Sequence, residues 1–527
     1  MMMVRKKRGN QFRIKAFDLD AGKYIVIMNK HDADFLGINK EDRVRLKYGN
    51  RKVTAIVDVT GSYVTPGQLG VFQNIFKSLK LTPRAILEVE ATDKPVSVEF
   101  IKKKMKGDEL TMEEINRIID DIVNGNLSDI ELAAYVTSVQ IHGMNIRETE
   151  DLTRAMVSTG DVITFDKGPI FDFHSVGGSP GNKITLLIVP IVAAAGLLIP
   201  KTSSRAISSA CGTADIMEVI ANVNISGKDI KRITEKVGGI ITWGGSVNIA
   251  PADDLIIQAE YPLAIDPYSQ IIASVMAKKK AISANYLLLD IPTGSGTKVP
   301  DNNLARKYAK DFMEIGRRLD MEVQCAITYG GQPIGSSIGP AHEAREALFC
   351  LEGGKVPNSL KLKALSLAGI ILEMGDAAKP GEGKNLAKRI LERKDALAKF
   401  LEIVEAQGGK SDLRSDDIKV GKYTADFYAD QDGYVDHIAN KAVVAIARAA
   451  GAPFDKGAGI KFFEKKSHKV DKGDILFTIY ADNTEKLKRA KKLCEKLTPM
   501  TIEGMLLEHV ETMDDLDEPT FQDGLGA

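Results

Sequence analysis

A multidomain α/β chain is the fold class that the sequence predicts: an N-terminal β-rich, barrel-like domain, a helical bundle, an α/β domain with a mostly parallel sheet, and a C-terminal α+β domain. Three observations predict it. The chain has 527 residues, several times what one hydrophobic core uses, and at roughly 150 residues per domain this gives about three or four domains. The apolar period changes near residue 96 from alternation to a helical repeat. From residue 166, short apolar segments alternate with helix-length ones, which is how a sheet covered by helices reads. The predicted spans are 1–95, 96–165 (with further helices drawn from the central segment), 166–425 and 426–527.

Each span has its own signature. In the first, Val44-Arg45-Leu46-Lys47-Tyr48 alternates, turns at Gly49-Asn50 and resumes over Val53 to Val59, so hairpins are expected. The stretch from Leu36 to Leu46 is loosely echoed from Leu79 to Val89, which suggests a duplicated half-barrel. In the second, Thr111 with Glu114, Ser128 with Glu131 and Asn145 with Glu148 form capping boxes, the Asn-led one being the weakest by residue type. In the third, strands are expected at Ile170 to Phe173, Gly239 to Thr242 and Tyr286 to Leu289, and a helix from Tyr268 to Lys280. The apolar run Ile184 to Pro200 reads as a buried core helix, too short to span a bilayer. In the fourth, short strands return between Gly433 and Tyr480, with a turn at Lys469 to Asp474 and a polar helix from about Asn483.

Composition narrows the function. Lys plus Arg and Asp plus Glu each number 71, with 44% hydrophobic and 27% charged residues. That is an ordinary soluble balance, with no electrostatic case for bulk nucleic-acid binding. Cys211, Cys325, Cys350 and Cys494 lack CxxC spacing, so neither a disulfide framework nor a thiolate metal site is expected, and a reducing cytoplasm is the default. The N-terminus has basic residues but no apolar stretch of a secretory signal behind them. His31, His142, His342, His437, His468 and His509 lack metal-ligand spacing, and no metal is expected. Trp243, beside Gly244-Gly245, reads as a packing residue.

Two polar loops bracket the apolar helix. The first, His174-Ser175-Val176-Gly177-Gly178-Ser179-Pro180-Gly181-Asn182-Lys183, joins a strand to that helix. Its glycines let backbone amides turn toward an anion, and the helix N-terminus adds unpaired donors, so a phosphate would be held well there. A plain tight turn is the alternative. The second, Lys201 to Thr213, packs six hydroxyls and Arg205 into thirteen residues. Such donors suit phosphate or ribose oxygens, the alternative being a solvated loop with a helix cap.

The motifs His174-Ser175-x-Gly177-Gly178, Ser203-x-Arg205, Gly212-Thr213, Ala250-Pro251-Ala252-Asp253, Ile272-Ala273-Ser274 with Lys278, Gly294-Ser295-Gly296 and Gln332-Pro333-Ile334-Gly335 together resemble the thymidine/pyrimidine-nucleoside phosphorylase family. The Gly-Ser-Pro-Gly-Asn-Lys loop, the Lys-Thr-Ser-Ser-Arg-Ala-Ile segment and the extra N-terminal domain are similar to that family's archaeal AMP-phosphorylase branch. The resemblance runs from about residue 10 to 500 in the family's order.

This resemblance implies a glycosyltransferase of the pentosyl type whose third span is a phosphate-binding domain. In the branch, AMP and inorganic phosphate, a co-substrate, give adenine and ribose 1,5-bisphosphate; CMP and UMP are further expected substrates. No cofactor, nucleic acid or membrane partner is implied, and a homodimer or larger homo-oligomer is. The family's phosphate contacts fall on Ser175, Thr185, Ser203 and Thr213. The branch's AMP contacts fall on Gly178, Ser204, Arg205, Ala206, Ile207, Ser208, Ser209, Thr213, Ser274 and Lys298, and its proton donor on Asp266. His174 is placed to contact base or sugar. An ordinary aspartate is ionised at neutral pH, so a donor at Asp266 requires burial or a neighbouring negative charge; a helix cap before Pro267 is its alternative role. Nucleoside-type relatives have Lys where this chain has Phe173, with Lys183 or Lys298 as replacements. Ser204 and Ser208 stand where that loop has Gly, which favours a 5′-phosphorylated substrate. A nucleoside phosphorylase and a non-catalytic nucleotide-binding protein are the other readings.

Overall fold

The computed structural model of the chain describes residues 9–206 and 209–504. Two compact units emerge: the chain up to Val162 together with Asn248–Ala281, and Ile163–Val247 together with the chain from Ile282 onward.

Unit 1 opens with six strands and two short helices, β1 (Gln11–Phe17), β2 (Ile25–Asn29), α1 (Lys30–Leu36), β3 (Arg43–Tyr48), β4 (Arg51–Thr60), β5 (Gln68–Phe72), α2 (Gln73–Ser78) and β6 (Ile86–Thr92). They close into a barrel in the order β1-β5-β2-β4-β3-β6. Of the expected hairpins, the β3–β4 pair across Gly49-Asn50 is one. The barrel otherwise interleaves its strands, with β1 parallel to β5 and β2 parallel to β4. The two halves, β1-β2-α1-β3 and β4-β5-α2-β6, repeat one strand–strand–helix–strand plan. The sequence echo is therefore the path from α1 into β3 and from α2 into β6. Alternate positions such as Val26, Met28, Val44, Leu46, Leu69, Val71, Leu87 and Val89 fill the interior, each adding about 1.5–3 kcal/mol of burial.

Four helices follow, α3 (Ser97–Met105), α4 (Met112–Val123), α5 (Asp129–His142) and α6 (Ile146–Ser158). The last three start at the expected capping boxes, each with both reciprocal bonds. The Asn-led box is more connected than its residue type suggested. Glu148 is buried and also accepts from Lys104 Nζ and the Leu110 amide, each at 2.9 Å.

Beyond Val162 come β7 (Phe171–Ser175), α7 (Thr185–Ala194), β8 (Ile199–Ser203), α8 (Thr213–Met217), α9 (Gly227–Val237) and β9 (Gly239–Trp243). Next, α10 (Pro251–Leu263) and α11 (Tyr268–Ala281) return to unit 1. The chain goes on through β10 (Tyr286–Thr293), α12 (Asn302–Arg318), β11 (Glu322–Tyr329), β12 (Ser337–Ile338), α13 (Pro340–Leu351), α14 (Asn358–Met374), α15 (Gly383–Glu392) and α16 (Asp395–Ala406). Strands run parallel in the order β11-β10-β7, β8 runs parallel to β9, and a parallel bridge from Ile170 to Leu198 links the two groups. The apolar helix is shorter than expected: α7 stops before Gly196, whose φ is +89°, and Ile199 and Pro200 form β8 instead. Buried on all sides, α7 needs no polar face.

The C-terminal part holds β13 (Tyr423–Tyr428), β14 (Gly433–Ile438), α17 (Asn440–Ala450), β15 (Gly459–Phe462), β16 (Lys469–Val470), β17 (Ile475–Ala481), α18 (Thr484–Leu497) and β18 (Met500–Glu503). One of its sheets, β12-β15-β17-β13, borrows Ser337–Ile338 from the preceding part. A two-residue strand has no period to read. No helix among the described residues is long and apolar enough to cross a membrane.

Candidate active site

Unit 2 brings the two polar loops out of the carboxyl ends of β7 and β8, where open α/β sheets present ligand sites. His174 and Ser175, both half-buried, end β7 and pair in register with Leu289 and Asp290 of β10. Ser175 Oγ donates to Asp290 Oδ2 at 2.7 Å and accepts from Asn182 Nδ2 at 2.9 Å. Asp290 is fully buried. Its Oδ1 accepts from Thr328 Oγ1 at 2.5 Å, and its Oδ2 is 2.9 Å from Lys363 Nζ of α14.

Close packing shapes the first loop. Gly178 has φ +108°, and a Cβ there would lie 2.7 Å from the Lys298 nitrogen and 3.0 Å from Thr297 Cα. Gly178 and Lys298, both predicted nucleotide contacts, are thus neighbours. Lys298 itself is exposed, on the turn that Thr297 Oγ1 braces through the Gly294 and Val299 carbonyls. A Cβ on Gly181 would meet the Ile334 carbonyl at 2.5 Å. Thr185, buried, opens α7.

Lys183 corrects the sequence reading. It is fully buried, and its ammonium donates to the Ile334 and Ser337 carbonyls at 3.1 and 2.8 Å and pairs with Glu346 Oε2 of α13 at 2.6 Å. It locks the loop to α13 instead of offering a cation to a ligand. Lys183 and its neighbours hold the Glu346 carboxyl at about 2 despite its burial.

The second loop is held by charge. Arg205 turns its fork to carboxylates: it reaches Glu218 at 2.5 and 2.7 Å and Asp215 at 3.3 Å, and stacks over Trp243 at 4.9 Å. Trp243 is therefore a platform for Arg205 as well as a packing residue. The amides of Ala206 and Gly212 both donate to Asp215 Oδ2, at 2.7 and 2.9 Å. Glu218 also takes Lys456 Nζ at 2.7 Å; the Arg205 fork first, then Lys456, hold its carboxyl at about 2. Arg448 of α17 donates to the Ser209 carbonyl at 3.0 Å, and Cys211 Sγ reaches Glu343 Oε1 of α13 at 2.9 Å. Ser203 Oγ donates to the Thr242 carbonyl at 3.3 Å. Ser204 is exposed, and Thr213, half-buried, begins α8. Ile207 and Ser208, two more predicted contacts, lie outside the described residues.

The remaining predicted residues belong to unit 1. Asp266 is exposed in the connection between α10 and α11. Ser274 Oγ accepts from Lys278 Nζ at 3.3 Å, and that ammonium is 2.6 Å from Asp253 Oδ2, a fully buried carboxylate. Asp253 and the nearby acidic groups raise the Lys278 ammonium against the desolvation that opposes it. Lys278 thus serves α10 and Ser274 and not merely its own helix end.

Sequence reasoning missed Asp215, Glu218, Asp290 and Lys363. The one local signal was Asp290, a lone carboxylate inside Leu287-Leu288-Leu289-Asp290-Ile291.

Comparisons with known proteins agree with this architecture. Residues 98–160 match the glycosyl transferase family helical bundle domain, residues 167–254 the glycosyl transferase family a/b domain, and residues 434–500 the pyrimidine nucleoside phosphorylase C-terminal domain. The chain is 50% identical over 500 residues to the AMP phosphorylase of Methanosarcina mazei, across 95% of this chain and 98% of that one. It is 46% identical over 501 residues to the AMP phosphorylase of Pyrococcus furiosus, across 95% and 99%. Among solved structures, anthranilate phosphoribosyltransferase from Thermus thermophilus superposes with a TM-score of 0.51 at 17% identity, over 59% of this chain and 99% of that one, a likeness of fold alone. With near full-length identity of this order, the chain belongs to the AMP phosphorylase family.

Proposed function

We propose that the chain catalyses phosphorolysis of nucleoside 5′-monophosphates: AMP and phosphate give adenine and ribose 1,5-bisphosphate, with CMP and UMP as further substrates. One observation carries this reading, the identity of about half to AMP phosphorylases over nearly the whole chain. The bond between C1′ and the base nitrogen breaks, a phosphate oxygen bonds to C1′, and the base leaves with a proton. Positioning the anion beneath a ring that becomes positive is the protein's main task.

In this reading Ser175, Thr185, Ser203 and Thr213 hold the phosphate. Gly178, Ser204 through Ser209, Thr213, Ser274 and Lys298 hold the nucleotide, and His174 meets base or sugar. Arg205 acts by holding the second loop in shape through Glu218 and Asp215. Asp266 protonates the leaving base. With Asp266 exposed, the neighbouring negative charge that such a donor requires comes from the nucleotide's own phosphate. Asp266→Asn lowers turnover by about one or more orders of magnitude in a folded protein; near-normal turnover removes it from the mechanism. A cytoplasmic, homo-oligomeric enzyme completes the proposal.

Incubation with phosphate and AMP, CMP, UMP, adenosine or thymidine, followed by chromatography of free base, tests the reading. Base released from nucleotides alone supports it. Base from nucleosides alone moves the assignment to the nucleoside phosphorylase suggested by the C-terminal match. No base from any of them leaves a nucleotide-binding protein.

A further inference from the structure

Ser175 presents a problem that its neighbours answer. A serine hydroxyl has one hydrogen to donate, and here it points at Asp290 Oδ2, 2.7 Å away. A phosphate anion needs that same hydrogen. It also meets, one hydroxyl away, a fully buried carboxylate whose charge repels it strongly in a poorly solvated place.

The surroundings of Asp290 remove both obstacles. Lys363 Nζ, on a side chain 7% exposed, is 2.9 Å from Asp290 Oδ2 and neutralises it from the α14 side. Thr328 Oγ1 occupies the other carboxylate oxygen. If the Ser175 hydrogen turns away, Asp290 therefore keeps a partner on each oxygen. Asn182 Nδ2 meanwhile donates to Ser175 Oγ at 2.9 Å, pinning the oxygen while its hydrogen rotates. In the parallel register Phe173 pairs with Leu288 and Ser175 with Asp290, so all four share one sheet face, and this charge reaches it from α14.

We propose that Lys363, through Asp290, is a positioning residue of the phosphate subsite: it cancels the buried carboxylate beside Ser175 and lets the Ser175 hydroxyl pass its hydrogen bond from Asp290 to phosphate. The proton stays on Ser175 throughout; only the direction of its hydrogen bond changes. Burial pushes the Lys363 ammonium down while Asp290 opposes that shift, as expected of a charge kept inside by one partner. The inference rests on the phosphorolysis reading and assigns this pair a part in the phosphate half of it.

The test is steady-state kinetics on the full-length protein with the KM for inorganic phosphate and for AMP measured separately. Lys363→Gln keeps a hydrogen-bond donor and removes the charge; it raises the phosphate KM about tenfold or more and leaves the AMP KM within about twofold. Lys363→Arg keeps the charge and holds the phosphate KM within about threefold of the wild type. Should Lys363→Gln fail to fold with Asp290 unpaired, the double variant Lys363→Met/Asp290→Asn, which removes the carboxylate together with its counter-charge, is read in its place, and its phosphate KM stays within about threefold of the wild type. An unchanged phosphate KM in folded Lys363→Gln, a rise of about tenfold or more in the double variant, or phosphate and AMP KM values rising together, overturns the inference. Wild-type protein that releases no base with either substrate overturns the phosphorolysis reading itself, so the two failures are distinct.

Discussion

The loops after β7 and β8 leave neighbouring strands of the same layer, yet different forces hold them. The first is fixed by shape: Gly178 and Gly181 lie so close to the backbones at Lys298 and Ile334 that no Cβ fits, and Lys183 is bolted inside to Glu346. The second is fixed by charge: Arg205, Glu218 and Lys456 are partly exposed, and only Asp215 among them is buried. Close backbone packing tolerates almost no adjustment, whereas partly exposed ion pairs are individually weak and give gradually. A rigid first loop and a more adjustable second loop suit an enzyme that keeps one co-substrate and accepts several bases. Helix α13 serves both, since Glu346 holds Lys183 and Glu343 holds Cys211.

The contrast fixes an order of effects. Gly178→Ala gives the largest: with φ at +108° and the Lys298 nitrogen 2.7 Å from the new Cβ, the loop must shift, and turnover falls by about a hundredfold with unchanged circular dichroism. Wild-type turnover in that variant would break the claim that shape holds the first loop. Glu218→Gln is smaller. It weakens the clamp on Arg205 and Lys456 and raises the AMP KM about three- to tenfold; a loss as large as that of Gly178→Ala would erase the distinction between the loops.

The smallest effect lies in the support below them. His342 of α13 is buried, its ring 3.2 Å from the Gly457 carbonyl, and burial pushes its pKa down to about 3. Folded protein thus binds fewer protons than unfolded protein between the ordinary histidine value near 6.5 and about 3. This stability is fully present above the ordinary value and is lost as pH falls through that window. His342→Gln flattens the fall in Tm between those pH values by several degrees, measured by scanning calorimetry; an unaltered slope would show that α13 is not anchored by a neutral imidazole.

Much of this was legible in the sequence wherever the cause is local. Thr111, Ser128 and Asn145 announce their helices because cap and carboxylate are three residues apart, and the glycines at 177, 178 and 181 announce a loop because backbone freedom is written at the position that uses it. The barrel's crossing order was hidden, since alternation marks strands but not their partners. So were the charges. Ser175 and Asp290 are 115 residues apart, and Lys183 and Glu346 are 163 apart, so nothing near either lysine or serine distinguishes a ligand contact from a buried pair. Lys183 reads as an anion binder for that reason, and Lys363 draws no notice inside an ordinary apolar helix.

The claim beneath all of this is that the ends of β7 and β8 hold one phosphate ion together, with the base-bearing sugar set against it. A crystal structure of the protein grown with phosphate and AMP tests it most directly. The account predicts a tetrahedral anion within hydrogen-bond reach of Ser175, Thr185, Ser203 and Thr213, with the Ser175 hydroxyl turned from Asp290 toward it. A substrate-bound structure in which Ser175 still donates to Asp290 and the anion sits elsewhere contradicts it.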